Sequence, residues 1–269
     1  MYEKFKPVTL IGAGVFAEII LKTFLKNGVL NKYEITATVR RKERANELHN
    51  KYGIEIGFDS AEAALNSQTI VLCVRPQQIN EIADELGMIS LENKTIISVV
   101  AGVTIHNLKQ LFNSNKIIRA NPNPQLEAGF GYTAISFSKE VDKQEREWTQ
   151  HLFDCLGENV CVDEQALDVF SALSGISHVL YFFDCLVEAG IYLGLNENIS
   201  QKIVFKSIMG TMMLLEQEKG SPSDLLRKVM TPGGVGIEKL FMLEKGNLRT
   251  TIIESIKAAK DKTGSFDKG

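Results

Sequence analysis

The sequence is poor in cysteine, and its few cysteines are scattered. Cys73, Cys155, Cys161 and Cys185 are the four among 269 residues, and they form no Cys-x-x-Cys pair and accompany no histidine cluster. This spacing argues against a metal site and against a disulfide framework. We interpret the cysteines as buried thiols of a protein in the reducing cytoplasm.

The sequence also lacks an excess of either charge and any very long apolar run. It has 30 basic and 33 acidic residues, a net charge of −3, which gives no electrostatic reason to expect nucleic acid or an anionic membrane as partner. No apolar run reaches the roughly 18 residues of a membrane span, and Met1–Pro7 lacks the apolar core of a signal peptide. We therefore expect neither nucleic acid nor a membrane as partner.

The first part of the chain, to residue 163, alternates strand-like and helical segments. Strands are predicted at residues 8–11, 35–39, 69–74, 95–100, 116–119 and 132–137, and helices at 17–27, 42–52 and 77–86. Fully apolar strands such as Thr69–Val74 are typical of a sheet buried on both faces. The pattern predicts an α/β domain of the Rossmann type, with a parallel sheet between helices, over residues 1–163.

From residue 164 to 269 the strand signals vanish and an all-helical domain is predicted. Its apolar-periodic segments are Leu167–Leu193, Glu197–Lys219 and Ile237–Lys262. Val179–Phe183 is apolar on all sides, so it has to be buried on all sides. A small bundle cannot easily do this alone, which favours a homodimer, or a higher oligomer, formed through these helices; the alternative is burial against the first domain.

The motif Gly12-Ala13-Gly14-Val15-Phe16-Ala17 follows a predicted strand and opens a predicted helix. In this context the first glycine permits a tight turn and the second lets the backbone approach a pyrophosphate. The helix N-terminus offers free N–H groups to the phosphates. The motif predicts a dinucleotide site; a strand–helix turn without a ligand is the alternative.

The end of the second strand indicates which dinucleotide is bound. Enzymes that use NAD usually have an acidic residue there, whereas this chain continues with Arg40 and Arg41. A guanidinium group can donate two hydrogen bonds to a 2′-phosphate. We predict NADP(H), with NAD(H) as the second possibility, against the alternative of a solvated basic helix start.

Three further loops are expected at the carboxyl ends of the strands, where ligands of open parallel sheets bind. They are Val74–Gln77, Ala101–Val103 and Arg119–Pro124, and ordinary turn chemistry is the alternative explanation for their prolines. In the helical domain, Thr231–Ile237 is glycine-rich and precedes a helix. Its N–H groups suit a carboxylate, although a plain turn between helices explains the same pattern.

Together these segments resemble the pyrroline-5-carboxylate reductase family over nearly the whole chain. The resemblance rests on Ile11–Gly14, Val74–Gln77, Ser98–Val103, Arg119–Asn123, Ala172–Gly175, Glu188–Gly190, Leu193–Leu195 and, most specifically, Thr231–Gly234. It implies an imine reductase of proline biosynthesis that transfers hydride from NADPH to 1-pyrroline-5-carboxylate. It also implies an interlocked dimer in which the Pro232-Gly233-Gly234 turn of the second subunit holds the substrate carboxylate.

The chain departs from this family at three places, all on the substrate side. Gly236 stands where the family has threonine, Ser174–His178 replaces Ser-Gly-Ser-Gly-Pro, and Pro122–Gln125 replaces Pro-Asn-Thr-Pro. His178 is a candidate general acid or simply a histidine at a helix start. Three functions stay open: this reductase, a reductase of a different cyclic imine or ketone, and a catalytically silent dinucleotide-binding paralogue.

The predicted site therefore has two sets of residues and no assigned proton donor or metal. The cofactor set is Gly12, Ala13, Gly14, Val15, Phe16, Arg40, Arg41, Ser60, Val74, Arg75, Pro76, Ala101 and Gly102. The substrate set is Asn123, Thr231, Gly233, Gly234, Val235 and Gly236.

Overall fold

The computed structural model describes residues 2–218 and 220–268. The chain forms two compact units. The first contains the residues up to Ser174 together with those from Ile256 onward, and the second is Gly175–Ser255. The predicted domain boundary between residues 163 and 164 stays a prediction.

An eight-stranded sheet forms the centre of the first unit. Its strands are β1 (Val8–Ile11), β2 (Ile35–Thr38), β3 (Glu55–Gly57), β4 (Thr69–Leu72), β5 (Thr95–Ser98), β6 (Ile117–Pro122), β7 (Tyr132–Phe137) and β8 (Glu158–Cys161). Their order is β3-β2-β1-β4-β5-β6-β7-β8. The order reverses direction between β1 and β4, where ligands bind in sheets of this kind.

Helices accompany the strands of this unit. They are α1 (Val15–Lys26), α2 (Lys42–Tyr52), α3 (Ser60–Leu65), α4 (Ile79–Leu86), α5 (Ile105–Leu111), α6 (Lys143–Asp154) and α7 (Glu164–Ser174). Strands β1 and β4 are buried at every position, and the core forms two clusters, one around Leu10, Phe24 and Trp148 and the other around Ile11, Ile70 and Leu108. Alternate residues of β1 thus enter different clusters, as expected for a sheet covered on both faces.

The predicted fold class is confirmed, but the sheet is not entirely parallel. Strand β7 runs antiparallel to β6, whereas β8 is again parallel to β7. Only nine residues join β6 to β7, which suits an antiparallel return and is too short for a parallel crossover. The outermost strands, β3 and β8, were not predicted because their exposed and half-buried residues give no continuous apolar run.

The second unit is helical. Its helices are α8 (Ser177–Tyr192), α9 (Glu197–Glu218), α10 (Pro222–Val229), α11 (Val235–Lys245) and the first part of α12 (Leu248–Gly264). Two of the long helices predicted from periodicity are broken. The first break lies at Gly175 and Ile176, and the second at Gly246 and Asn247, where Asn247 has a φ of 54°. Glycine and a left-handed asparagine end a helix even where the apolar spacing continues. The end of the remaining predicted segment, Lys219, lies outside the described residues.

The sequence was expected to contain no stretch that could span a membrane, and this expectation was wrong as far as length and composition are concerned. In the described residues, Glu164–Tyr192 is long and apolar enough, with a mean hydropathy of 1.5. This stretch is however divided between α7 and α8, and an apolar helix within a subunit interface has the same composition. In the single chain Leu180 is 59% and Tyr181 73% exposed, as a helix that needs a partner subunit would be.

Candidate functional site

The glycine-rich loop lies at the carboxyl end of β1, where the strand order reverses. Gly12 has a φ of 89°, and a Cβ atom built on it would lie 2.5 Å from Val74 Cγ1. Ala13 N–H donates to the carbonyl of Thr38 at 2.8 Å. Position 12 therefore needs glycine both for its backbone conformation and for the close approach of the residues that follow β4.

Gly14 has a different reason to be glycine. A Cβ atom built on it would meet nothing within 4 Å, and its φ of −73° is open to any residue. Gly14 is the N-cap of α1, and no side chain caps this helix. The unfilled space and the uncapped helix N-terminus together form a cradle for a phosphate group.

A cleft of about 440 Å³ opens at this cradle. Nine of the predicted cofactor residues line it, and they are Gly12, Ala13, Gly14, Val15, Arg40, Arg41, Ser60, Val74 and Arg75. Residues that the sequence did not single out include Thr38, Arg44, Phe58 and Gln78. The structure thus brings residues from four separate loops into one cleft at the switch point of the sheet.

Two arginines stand at the end of the cleft beyond β2. Arg40 and Arg41 are both exposed, and the Arg40 guanidinium forms an ion pair with Glu81 of α4. Glu47 and Glu85 also line the cleft, so the arginines are the basic groups of a mixed surface. A bound phosphate would compete with Glu81 for Arg40.

Arg44 holds the glycine-rich loop and was missed in the sequence. Its guanidinium donates to the carbonyl oxygens of Ala13 at 3.2 Å and Gly14 at 3.3 Å, and it pairs with Glu18 at 2.6 Å. The carboxylate of Glu18, directly after Ala17, lies in the first turn of α1 near the phosphate cradle. A carboxylate this close to the phosphate cradle would repel a bound phosphate unless a cation neutralised it. Glu18 was therefore the signal from which a basic partner could have been predicted.

The Glu18 carboxylate has an unusual pKa. Burial raises it, but hydrogen bonds from Lys51, Tyr52 and Arg44 outweigh burial and lower the pKa to about 2. Glu18 is therefore ionised at any physiological pH, and its charge is compensated by the two basic side chains.

The loop after β4 forms the wall opposite Gly12. Val74 contacts the loop, and burial raises the pKa of the neighbouring Cys73 to about 12, so that this thiol is not a nucleophile. Arg75 is exposed and is the N-cap residue of the short 3-10 turn that begins at Pro76, and its backbone N–H donates to Gln78 Oε1 at 3.3 Å. Pro76 and Phe16 do not line the cleft, and Phe16 packs against the core.

Ala101 and Gly102, after β5, line a second and much smaller cavity of about 10 Å³. Arg119, at the centre of β6, contributes to its wall and pairs with Glu164 at 2.9 Å. Asp168 lies 3.7 Å from the same guanidinium. This buried arginine is thus held by two acids of α7.

Asn123, which was predicted to bind substrate, is 8% exposed. Its Oδ1 accepts from Tyr132 N–H at 2.8 Å and its Nδ2 donates to the carbonyl of Phe130 at 3.2 Å. The side chain therefore closes the loop that leads into β7. A contact with substrate stays a prediction for this residue.

In the second unit, the Thr231–Gly236 turn precedes α11. Gly233 has a φ of 72°, and Gly234 is the N-cap of α11 without a side-chain cap. The N–H of Gly234 donates to the carbonyl of Thr231 at 2.9 Å. Val235 is 76% exposed, so the N-terminus of α11 is accessible within this unit.

Two further candidate features of the site are His178 and a metal centre. His178 is exposed and lies in the first turn of α8. In the part of the chain that the structure describes, no group of three or more His, Cys, Asp or Glu residues could hold a metal ion.

Comparisons with known families match both parts of the chain. Residues 164–265 match the model of the pyrroline-5-carboxylate reductase dimerisation domain. Residues 7–102 match the model described as NADP oxidoreductase, coenzyme F420-dependent. The first match supports assembly into a dimer and a small-molecule substrate, and the second agrees with the dinucleotide cleft.

Individual relatives extend over the full length. A pyrroline-5-carboxylate reductase from Synechocystis is 30% identical over 261 residues, which is 96% of this chain and 97% of the relative. The solved structure of such a reductase from Coxiella burnetii has a TM-score of 0.87 at 26% identity and covers 98% of this chain and 100% of its own. A Plasmodium falciparum pyrroline carboxylate reductase solved with NADP bound has the same TM-score at 21% identity and shares the fold over 98% of this chain and 99% of its own.

These matches confirm the resemblance inferred from the motifs, and with it the oxidoreductase class and the NADP(H) cofactor. The chain belongs to the pyrroline-5-carboxylate reductase family.

Proposed function

We propose that the chain reduces 1-pyrroline-5-carboxylate to L-proline with NADPH. The observation that carries this proposal is the cradle at Gly14, an open space at an uncapped helix N-terminus, in a chain of this family. NADPH, when bound, supplies a hydride for the C=N carbon of the imine. The protein's own contribution is to bind and orient the two reactants.

The cofactor residues have distinct roles in this proposal. The free N–H groups of α1 receive the pyrophosphate, and Gly14 admits it because no side chain fills the space. Arg40 and Arg41 bind the 2′-phosphate and thereby favour NADPH over NADH. Ser60, Val74 and Arg75 line the same cleft, and Ala101 and Gly102 follow the next strand, where the nicotinamide end would bind.

The Thr231–Gly236 turn binds the carboxylate of the substrate. Support comes from the uncapped N-terminus of α11, whose partial positive charge suits an anion, and from the position of this motif within the matched dimerisation domain. Asn123 is part of the proposed substrate site as the residue that fixes its loop.

The active assembly is a homodimer formed through the C-terminal helices. The exposed apolar side chains of α8, of which Leu180 and Tyr181 are two, are the surface that this dimer buries. We place the enzyme in the cytoplasm because all four cysteines are free thiols, although Cys161 and Cys185 are exposed and not buried as expected.

The decisive experiment measures NADPH oxidation with pyrroline-5-carboxylate beside a panel of other cyclic imines. We expect turnover with pyrroline-5-carboxylate and a lower KM for NADPH than for NADH. Turnover with other imines alone would assign a different substrate. This is the principal alternative, because Gly236 lacks the hydroxyl group that the family has at this position. Tight binding of NADPH without any turnover would indicate a silent paralogue.

A further inference from the structure

The C-terminal segment Thr263–Phe266 packs against the loop that follows β5. Gly102 in this loop is buried and has a φ of 73°. A Cβ atom built on it would lie 2.2 Å from the carbonyl oxygen of Thr263 and 3.0 Å from Cβ of Phe266. The two segments are thus in close contact although they lie far apart in the sequence.

The loop is anchored on both sides of Gly102. Ala101 and Gly102 have no side chain that could form a hydrogen bond, and Ala101 is exposed. After the loop, the Ile105 N–H at the start of α5 donates to Glu164 at 2.6 Å, and Glu164 also binds Arg119. Val100 and Val103, on either side of Ala101 and Gly102, are buried in the core cluster around Ile11. Both ends of the loop are thus fixed, and Thr263 and Phe266 pack on Gly102 between them.

A small cavity lies between these segments. It measures about 10 Å³, room for roughly one water molecule, and its wall includes Gly102, Arg119, Asp168 and Thr263. Asp168 Oδ1 is buried without a hydrogen-bond partner. The C-terminal segment therefore closes a polar pocket beneath the loop.

We propose that Thr263–Phe266 is a positioning element that holds the β5–α5 loop at the nicotinamide end of the cofactor site. The inference rests on the proposed function, because the loop lies at the carboxyl end of β5, beside the switch point. Phe266 touches neither reactant in this proposal. It acts through Gly102, and a loop displaced by about 1 Å costs hydride transfer roughly 100-fold at most.

The adenosine end of the cleft is distant in sequence and in the sheet from this contact. It is formed at the ends of β1 and β2 by Gly14, Arg40 and Arg41. Loosening the C-terminal segment should consequently lower the rate of the chemical step and leave the affinity for NADPH nearly unchanged.

The test compares Phe266→Ala with Phe266→Leu, which keeps the apolar bulk, and with Tyr33→Ala, which removes an 83% exposed ring before β2. In Phe266→Ala we expect kcat to fall about tenfold, the Kd for NADPH measured by fluorescence to change less than about twofold, and the kinetic isotope effect with NADPH dideuterated at C4 to rise. Phe266→Leu should recover most of kcat, and Tyr33→Ala should behave as the unchanged enzyme.

Hydrogen–deuterium exchange of the full chain gives a readout independent of turnover. Peptides that span residues 99–104 should exchange faster in Phe266→Ala than in Phe266→Leu. Unchanged exchange and an unchanged isotope effect would overturn the proposal, as would an equal loss of NADPH affinity and kcat. If the unmodified chain turns over no imine, the proposed function fails, whereas the exchange experiment still decides the role of the C-terminal segment.

Discussion

Two glycine-rich turns precede uncapped helices in this protein, and they are built differently. Glycine is required at position 12 because the backbone there is left-handed and because Val74 Cγ1 would lie only 2.5 Å from a Cβ atom. Gly234 would place a Cβ atom 2.4 Å from Thr231 Oγ1, a contact within its own turn. The first turn is shaped by a neighbouring segment of the sheet, while the second is shaped by itself.

The two turns therefore differ in how much they depend on contacts with other parts of the molecule. The Gly12–Val15 loop is complete within the first unit, with one wall supplied by the loop after β4 and with Arg44 bound to its carbonyl groups. The Thr231–Gly236 turn forms a local structure whose outer side is exposed in the single chain. The proposed cofactor site is therefore preformed within the first unit, whereas the turn proposed to bind the substrate is open on its outer side.

The largest effect is expected from Gly12→Ala, which we compare with Gly14→Ala in the same turn. Gly12→Ala should lower the free energy of unfolding by roughly 4 kcal/mol, because it combines a left-handed backbone with a clash against Val74. Gly14→Ala should leave unfolding unchanged but weaken NADPH binding, since the Cβ atom fills only the phosphate space. Urea unfolding and NADPH fluorescence titration measure the two effects, and equal destabilisation by both variants would contradict the distinction.

The ion-pair network behind the first turn predicts a pH dependence of stability. The pKa of Glu18 is lowered to about 2 from 4.5, so its contribution is present above pH 4.5 and is lost as the pH falls towards 2. The full contribution corresponds to about 3 kcal/mol. Glu18→Gln should be less stable than the unmodified chain at pH 7, and this difference should shrink between pH 4.5 and 2.

Urea unfolding at fixed protein concentration measures this difference, with Glu43→Gln, an exposed carboxylate of α2, as the control. A difference between Glu18→Gln and the unmodified chain that stays constant down to pH 2 would show that the network does not lower the pKa of Glu18.

The comparison of the two turns also shows how far the sequence predicts this protein. The α2 helix was predicted at its observed bounds, Lys42–Tyr52, because polar spacing and a following glycine mark both ends. The first turn was predicted because each of its signals lies within a few adjacent residues. The contacts of Arg44 and of Gly102 with Thr263 were not, since they join segments that only the folded sheet brings together.

A smaller effect is expected at Arg40, whose replacement should lower the affinity for NADPH more than that for NADH. Arg40→Gln should weaken NADPH binding by about 2 kcal/mol, roughly 30-fold, because a charge-assisted bond to the 2′-phosphate is lost. The Kd for NADH should barely change. Fluorescence titration of both nucleotides measures the ratio, and equal losses would remove Arg40 from the 2′-phosphate site.

Glu81 forms an ion pair with Arg40, so removing its charge should have the opposite effect on NADPH binding. Glu81→Gln should strengthen NADPH binding about threefold, since the exposed pair is worth less than about 1 kcal/mol. Asp84→Asn removes the same charge from the same helix and controls for the general field of α4. If both variants strengthen binding equally, the pairing with Arg40 plays no part.

A small effect, of the same order as that of Glu81→Gln, is expected in the second turn, at the position where the chain departs from its family. A Cβ atom at Gly236 would lie 3.4 Å from Met230 Sδ, the flexible end of a side chain, so that Gly236→Thr should fold normally. A hydroxyl group near the bound carboxylate adds one hydrogen bond, worth about 1 kcal/mol, and should lower the KM for pyrroline-5-carboxylate about fivefold. Gly236→Val has the same shape without the hydroxyl and should bring no gain. Equal KM values for the threonine and valine variants would mean that this turn does not contact the substrate through position 236, and the glycine would then be a neutral replacement in a turn that is shaped by itself.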